Sequence, residues 1–99
     1  MALYSTTTGS GNTAIGRQTM ESNSTGSNNT ALGALANITG NVSNATAIGF
    51  GATASQSNSI QLGDVNVTTV RTSGNLIVQG GKVSYEAAMV RNRKNWLCS

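Results

Sequence analysis

Asn12-Thr13-Ala14-Ile15-Gly16 returns as Asn29-Thr30-Ala31-Leu32-Gly33, as Asn44-Ala45-Thr46-Ala47-Ile48-Gly49 and, weakened, as Asn58-Ser59-Ile60-Gln61-Leu62-Gly63. The closing glycines stand 17, 16 and 14 residues apart, which is the spacing of a structural repeat. Each phrase reads as a very short strand ended by a turn: Thr, Ala and Ile alternate faces, and the Gly accepts the positive φ of a tight corner. Polar runs such as Ser22-Asn23-Ser24-Thr25-Gly26-Ser27-Asn28 lie between phrases and supply a second corner. One repeat is therefore one winding of a β-solenoid. Adjacent strand positions point in opposite directions and neither Ala nor Ile is polar, so apolar atoms lie on both faces. One face fills the roll, and the other requires a partner outside it, which predicts an oligomer.

Composition agrees with a repeat architecture. Gly, Ser, Thr and Asn make up about half of the 99 residues, with no Pro, no His and only four aromatic residues. Such a chain has little large apolar surface to set against roughly 1 to 2 kcal/mol of entropy per ordered backbone residue, so a lone roll is expected to be marginal. Disorder is the competing reading of a polar low-complexity tract, but such tracts do not place Ile or Leu before Gly at a fixed period. The formal charge of +3 is unevenly placed. Residues 1–81 balance Arg17 and Arg71 against Glu21 and Asp64, whereas residues 82–99 hold Lys82, Arg91, Arg93 and Lys94 against Glu86. A neutral roll argues against nucleic acid as partner of the repeats, because phosphate binding needs a row of basic side chains.

The phrase and its period resemble the head repeats of YadA-like trimeric adhesins, whose consensus runs roughly Asn-Ser-x-Ala-Ile-Gly. A variant with Thr-Gly-Ser-x-Asn-Thr-Ala-Ile-Gly in each turn is common in fibre proteins of tailed phages. Thr8-Gly9-Ser10-Gly11-Asn12-Thr13-Ala14-Ile15-Gly16 and Thr25-Gly26-Ser27-Asn28-Asn29-Thr30-Ala31-Leu32-Gly33 follow that variant closely. Gly49-Phe50-Gly51-Ala52-Thr53-Ala54 resembles the Gly-x-Gly-Ala-x-Ala of a shorter adhesin repeat. The resemblance covers about residues 3–81 and implies an all-β fold: a left-handed parallel β-roll, three chains to a head. Its repeat residues are Ile15, Gly16, Leu32, Gly33, Ile48, Gly49, Leu62 and Gly63. It carries no catalytic residue over.

In chain order, the roll is expected to occupy residues 1–63, with Leu3 and Tyr4 standing where Met20 and Glu21 stand one repeat later. On that reading no docking domain precedes it. Leu35 and Ile38 are expected to join the core, and two extra residues between Gly40 and the next phrase to bulge outward. Phe50, the only Phe, is expected to pack between windings or at a threefold seam in preference to contacting a ligand. Residues 64–81 read as closing strands and a joint: Val65 to Val70 alternate as a strand does, Leu76-Ile77-Val78 follow the turn Ser73-Gly74-Asn75, and Gln79-Gly80-Gly81 end the segment.

Residues 82–99 read as a short basic helix, with Val83, Ala87, Val90 and Leu97 on heptad seam positions and Lys94 as the misfit. A helix of that length is marginal alone, so it needs sister chains or another surface. Arg91, Arg93, Lys94 and Trp96 are the candidate docking residues, since Trp and Arg are enriched at interface anchors.

No constellation for catalysis is legible. With one Cys, Cys98, no His and only three carboxylates, neither a triad, a metal cage nor a carboxylate pair can be assembled, and no cofactor is expected. A single thiol makes no internal disulfide. No stretch approaches the roughly 20 apolar residues of a membrane span, and the first residues do not read as a signal peptide. Six Asn-x-Ser/Thr sequons, at Asn23, Asn28, Asn37, Asn41, Asn44 and Asn66, read as solenoid corners, and stacked asparagines are expected to form ladders between windings. The expectation is a non-enzymatic structural and recognition element of a trimeric phage fibre or spike. On the virion it would serve host attachment through a receptor the sequence does not name, and join another virion protein through its C-terminal segment. The alternatives are a head fragment of a bacterial trimeric adhesin at the cell surface, and an ice-binding solenoid carrying the column Thr13, Thr30 and Thr46.

Overall fold

In the computed structural model, residues 9–22 and 25–83 are described. The chain winds as a parallel β-solenoid of about three turns. One sheet stacks β1 (Thr13–Ile15), β2 (Thr30–Leu32), β4 (Ala45–Ile48) and β6 (Ser59–Leu62); a second pairs β3 (Asn37–Ile38) with β5 (Thr53–Ala54). All pairings are parallel, with Thr13 beside Thr30, Thr30 beside Thr46 and Thr46 beside Ile60, so the register shifts are the 17, 16 and 14 of the repeated phrase.

Each corner has its own column of residues. Gly11, Asn28, Asn44 and Asn58 all sit in the left-handed region, at φ of 57° to 70°. Gly and Asn are the residues that enter it most readily, which is why the corner is written with them. Beside them runs a serine ladder: the Ser10, Ser27 and Ser43 amides donate to the hydroxyls of Ser27, Ser43 and Ser57 at 3.0–3.1 Å. At the far end of each strand Gly16, Gly33 and Gly49 stack at φ of 115° to 127°, and a Cβ on Gly33 would stand 2.9 Å from the Gly49 carbonyl carbon. Neither the angle nor the space admits another residue there.

The windings shorten in one place. From the left-handed corner to the second sheet every winding uses 9 residues: Gly11 to Met20, Asn28 to Asn37, Asn44 to Thr53. The return to the next corner takes 8, then 7, then 5. The buried side chains at the start of the returns also become smaller, from Met20, at the place of Asn37 and Thr53, to Ile38 and then Ala54 one residue further on. The roll therefore tapers toward its C-terminal end. Most of the remaining core is alanine, with Ala31, Ala36, Ala45, Ala47 and Ala52 fully buried.

Three expectations are corrected. Leu35 does not join the core; it turns outward at φ 63°, in a corner column shared with Gln18 and Gly51, while Ile38 is buried. No extra residues follow Gly40: the return is one residue shorter than the one before it, and its exposed Gly40 and Asn41 lie in a turn closed by the Val42 N–H donating to the Thr39 carbonyl at 3.3 Å. Val42, not Gly40, takes the place of Gly26: Asn29 Nδ2 donates to the Val42 carbonyl at 2.8 Å as Asn12 Nδ2 does to that of Gly26 at 2.9 Å. Val42 also packs against the core. Nor do residues 64–83 form strands in this chain. An Asx turn diverts it after β6, the Asn66 amide donating to Asp64 Oδ1 at 2.9 Å, and among the described residues no strand pairs with the segment beyond it. Leu3, Tyr4 and residues 84–99 of the segment 82–99 expected to be helical lie outside the described residues.

Candidate functional site

The strand Thr-Ala-Ile sorts its side chains by face. Ala31 and Ala47 point into the roll and are fully buried, with Ala14 packed against the same core. Ile15, Leu32, Ile48 and Leu62 point the other way and form one column down the outside of the four-stranded sheet, 60, 42, 39 and 48% exposed. Thr13, Thr30, Thr46 and Ile60 make a second outward column two residues earlier. The face is flat, one strand wide along each rung, and carries no charge. Covering the exposed remainder of each large side chain in the Ile/Leu column is worth about 1 kcal/mol, half the value for a fully transferred one.

Alanine inside leaves room for no more than a thin core, which is why the large aliphatics are outside. Phe50 lies just past this column across Gly49 and is 62% exposed, so it is not packed between windings. The repeat thus sets one apolar side chain per winding at the same place on the outer face.

The sequence-predicted residues divide cleanly. Ile15, Leu32, Ile48 and Leu62 come together on one face, and Gly16, Gly33, Gly49 and Gly63 line the adjacent corner. Arg91, Arg93, Lys94 and Trp96 lie outside the described residues. The stacked asparagines take two separate columns. Asn44 Nδ2 donates to Asn58 Oδ1 at 2.8 Å on the surface, whereas Asn12 and Asn29 belong to an inner column that the weaker third and fourth phrases fill with Ala45 and Ser59. What the sequence reading missed is the serine ladder, although Ser10, Ser27, Ser43 and Ser57 recur at the same 17, 16 and 14 as the glycines.

Among the described residues no three or more His, Cys, Asp or Glu side chains come together, and no helix is long and apolar enough to cross a membrane. The fold and the face define a β-solenoid with one apolar column that the described residues leave partly exposed. No protein-family model, no curated protein and no solved structure matches the chain.

Proposed function

We infer that three copies of this chain associate through the column Ile15–Leu32–Ile48–Leu62, and that the trimer is a non-enzymatic structural and recognition element of a phage fibre or spike serving host attachment. The observation that carries it is that column: aliphatic side chains at one place in four successive windings, outside a roll too thin to bury them. These four are aligned in one contiguous column where most other exposed aliphatics of the described residues lie beyond the last strand, and contiguous apolar patches mark association sites. Three copies, and the place on a virion, follow from the likeness of the repeat to trimeric adhesin heads and especially to its phage variant. The left-handed winding follows from the same likeness.

Native mass spectrometry and equilibrium sedimentation test the assembly: a trimer supports it, and a stable folded monomer ends it. Purified phage particles that contain the chain support the virion, and a longer reading frame ending in a membrane β-barrel supports a bacterial adhesin head at the cell surface instead. The C-terminal segment with Arg91, Arg93, Lys94 and Trp96 is assigned to docking on another virion protein. Removing everything after Gly81 then leaves a trimer that does not join its carrier. The outward column Thr13–Thr30–Thr46 favours one further reading, ice binding, which thermal hysteresis in solution would reveal.

A further inference from the structure

The columns that define a winding continue past the last one formed. Ser10, Ser27, Ser43 and Ser57 start the four strand phrases, and Ser73 stands 16 residues after Ser57, inside the range of the earlier spacings. Ser73-Gly74-Asn75-Leu76-Ile77-Val78 repeats Ser10-Gly11-Asn12-Thr13-Ala14-Ile15 position for position, with Gly74 in the column of Gly11 and Asn75 in that of Asn12. Leu76, Ile77 and Val78 are thus the counterparts of Ile60, Gln61 and Leu62. Yet they form no strand, and Leu76 and Ile77 are 74 and 78% exposed.

Two features keep this fifth phrase from winding onto its own roll. Counted from Gly63, the core positions held by Ala36 and Ile38 or by Ala52 and Ala54 would fall to Asn66 and Thr68, so completing the fourth winding would bury an amide and a hydroxyl where the second and third bury only apolar side chains; the first buries one hydroxyl there, Thr19, bonded to the Gly16 carbonyl at 3.0 Å. The Asx turn at Asp64, closed by Val67 N–H donating to the Asp64 carbonyl at 3.1 Å, then leads the chain off the winding path. At the same time β6 is the last strand of its sheet and, among the described residues, pairs only with β4, so that its outer edge has no strand beside it there. An open edge beside a matching unpaired strand is an invitation to pairing between chains.

We propose that Ser73–Val78 of one copy adds as a parallel strand to the β6 edge of a second copy, in the register Ile60–Leu76 and Leu62–Val78, so that the assembled rolls close one another's ends. Leu76 and Val78 then extend the two outward columns of the neighbouring roll by one rung. The exchange rests on the trimer reading: around a threefold axis three open edges and three strands are available, and each edge receives one strand. The occupant is a second copy because the segment carries this chain's own repeat.

Cross-linking on the full chain tests it, in a Cys98→Ser background. Neighbouring parallel strands lie about 4.8 Å apart, within the Cα separation a disulfide spans. On oxidation, Ile60→Cys with Leu76→Cys is expected to give a covalent species of three chain masses on a denaturing gel, absent from either single variant. Leu62→Cys with Val78→Cys repeats the test one pair further along. Loss of both thiols in a species of one chain mass would mean that the phrase winds onto its own roll, and overturns the exchange. So does the absence of any cross-link from both pairs while sedimentation still shows a trimer, an outcome that leaves the trimer standing. Chains that sediment as monomers throughout defeat the trimer reading itself, and the exchange with it.

Discussion

Asn12 and Asn29 hold equivalent places in successive windings, and Asn12 Oδ1 accepts the Asn29 backbone N–H at 2.9 Å. Asn29 Oδ1 accepts the Ala45 amide at the same distance, while its Nδ2 donates to the Val42 carbonyl. The side chain is fully buried. It therefore satisfies a buried backbone N–H, that of Ala45, and a part-buried carbonyl, that of Val42. Replacing Asn29 with Ala takes the partner from the buried Ala45 N–H, at about 1 to 3 kcal/mol, and removes one hydrogen bond to the part-buried Val42 carbonyl, at about 1 kcal/mol. Asn29→Ala is expected to lose about 2 to 5 kcal/mol in chemical denaturation, while Asn41→Ala on the exposed return stays within about 0.5 kcal/mol. Equal effects would mean that the inner asparagine carries no special share of the winding.

The glycine column makes a sharper contrast. Gly33→Ala meets both a φ of +121° and the Gly49 backbone, whereas a Cβ at Gly74 meets nothing within 4 Å. Gly33→Ala is expected to abolish cooperative unfolding and the far-ultraviolet β signal, or to lower stability by about 3 kcal/mol or more. Gly74→Ala should leave both unchanged.

The outward column is tested by charge. Leu32 is half-exposed, so an Asp there fits the isolated roll with little effect on its circular dichroism. In an assembly that covers this face, three buried carboxylates meet apolar neighbours with no cation on the sheet face. Leu32→Asp is expected to weaken association by about two orders of magnitude or more, read as a shift from trimer to monomer in sedimentation. A trimer of unchanged strength would place the interface elsewhere.

How far the sequence carried this reading is seen in the same residues. The rungs were legible, since Gly16, Gly33, Gly49 and Gly63 mark each strand end and the observed registers repeat their spacing. So was an apolar column outside the roll, because Ala and Ile stand on opposite faces of one short strand. Which asparagine points inward was not legible: Asn44 and Asn29 look alike in the phrase, and only the corner geometry shows that Asn44 belongs with Asn28 and that Ala45 replaces Asn29. Val42 was misplaced for the same reason, Thr39-Gly40 having imitated Thr25-Gly26. Beyond Gly63, alternation from Val65 to Val70 was read as a strand, but alternation supplies a face and not a partner, and Val65 is 95% exposed in the single chain.

The taper makes the last prediction. The 9 residues from left-handed corner to second sheet carry the Gly column, the outward column and the inward alanines, all fixed by contact with the windings on either side. The return carries one buried side chain and polar corner residues, and nature has already set it at 8, 7 and 5. Loop length enters stability only logarithmically, about 0.6 kcal/mol per doubling, so the return should accept insertions that the 9-residue stretch does not. Two residues, Gly-Ser, inserted after Ser55 are expected to cost no more than about 1 kcal/mol and to leave the β signal intact. The same dipeptide inserted between Leu35 and Ala36 displaces Ala36, Asn37 and Ile38 from their partners, including the pairing of Asn37 with Thr53, and is expected to unfold the second and third windings. Denaturation curves of the two insertions decide it. If both are tolerated alike, the constant stretch is not the structural unit; if both unfold the roll, the taper is a requirement of this core and not a freedom of its return.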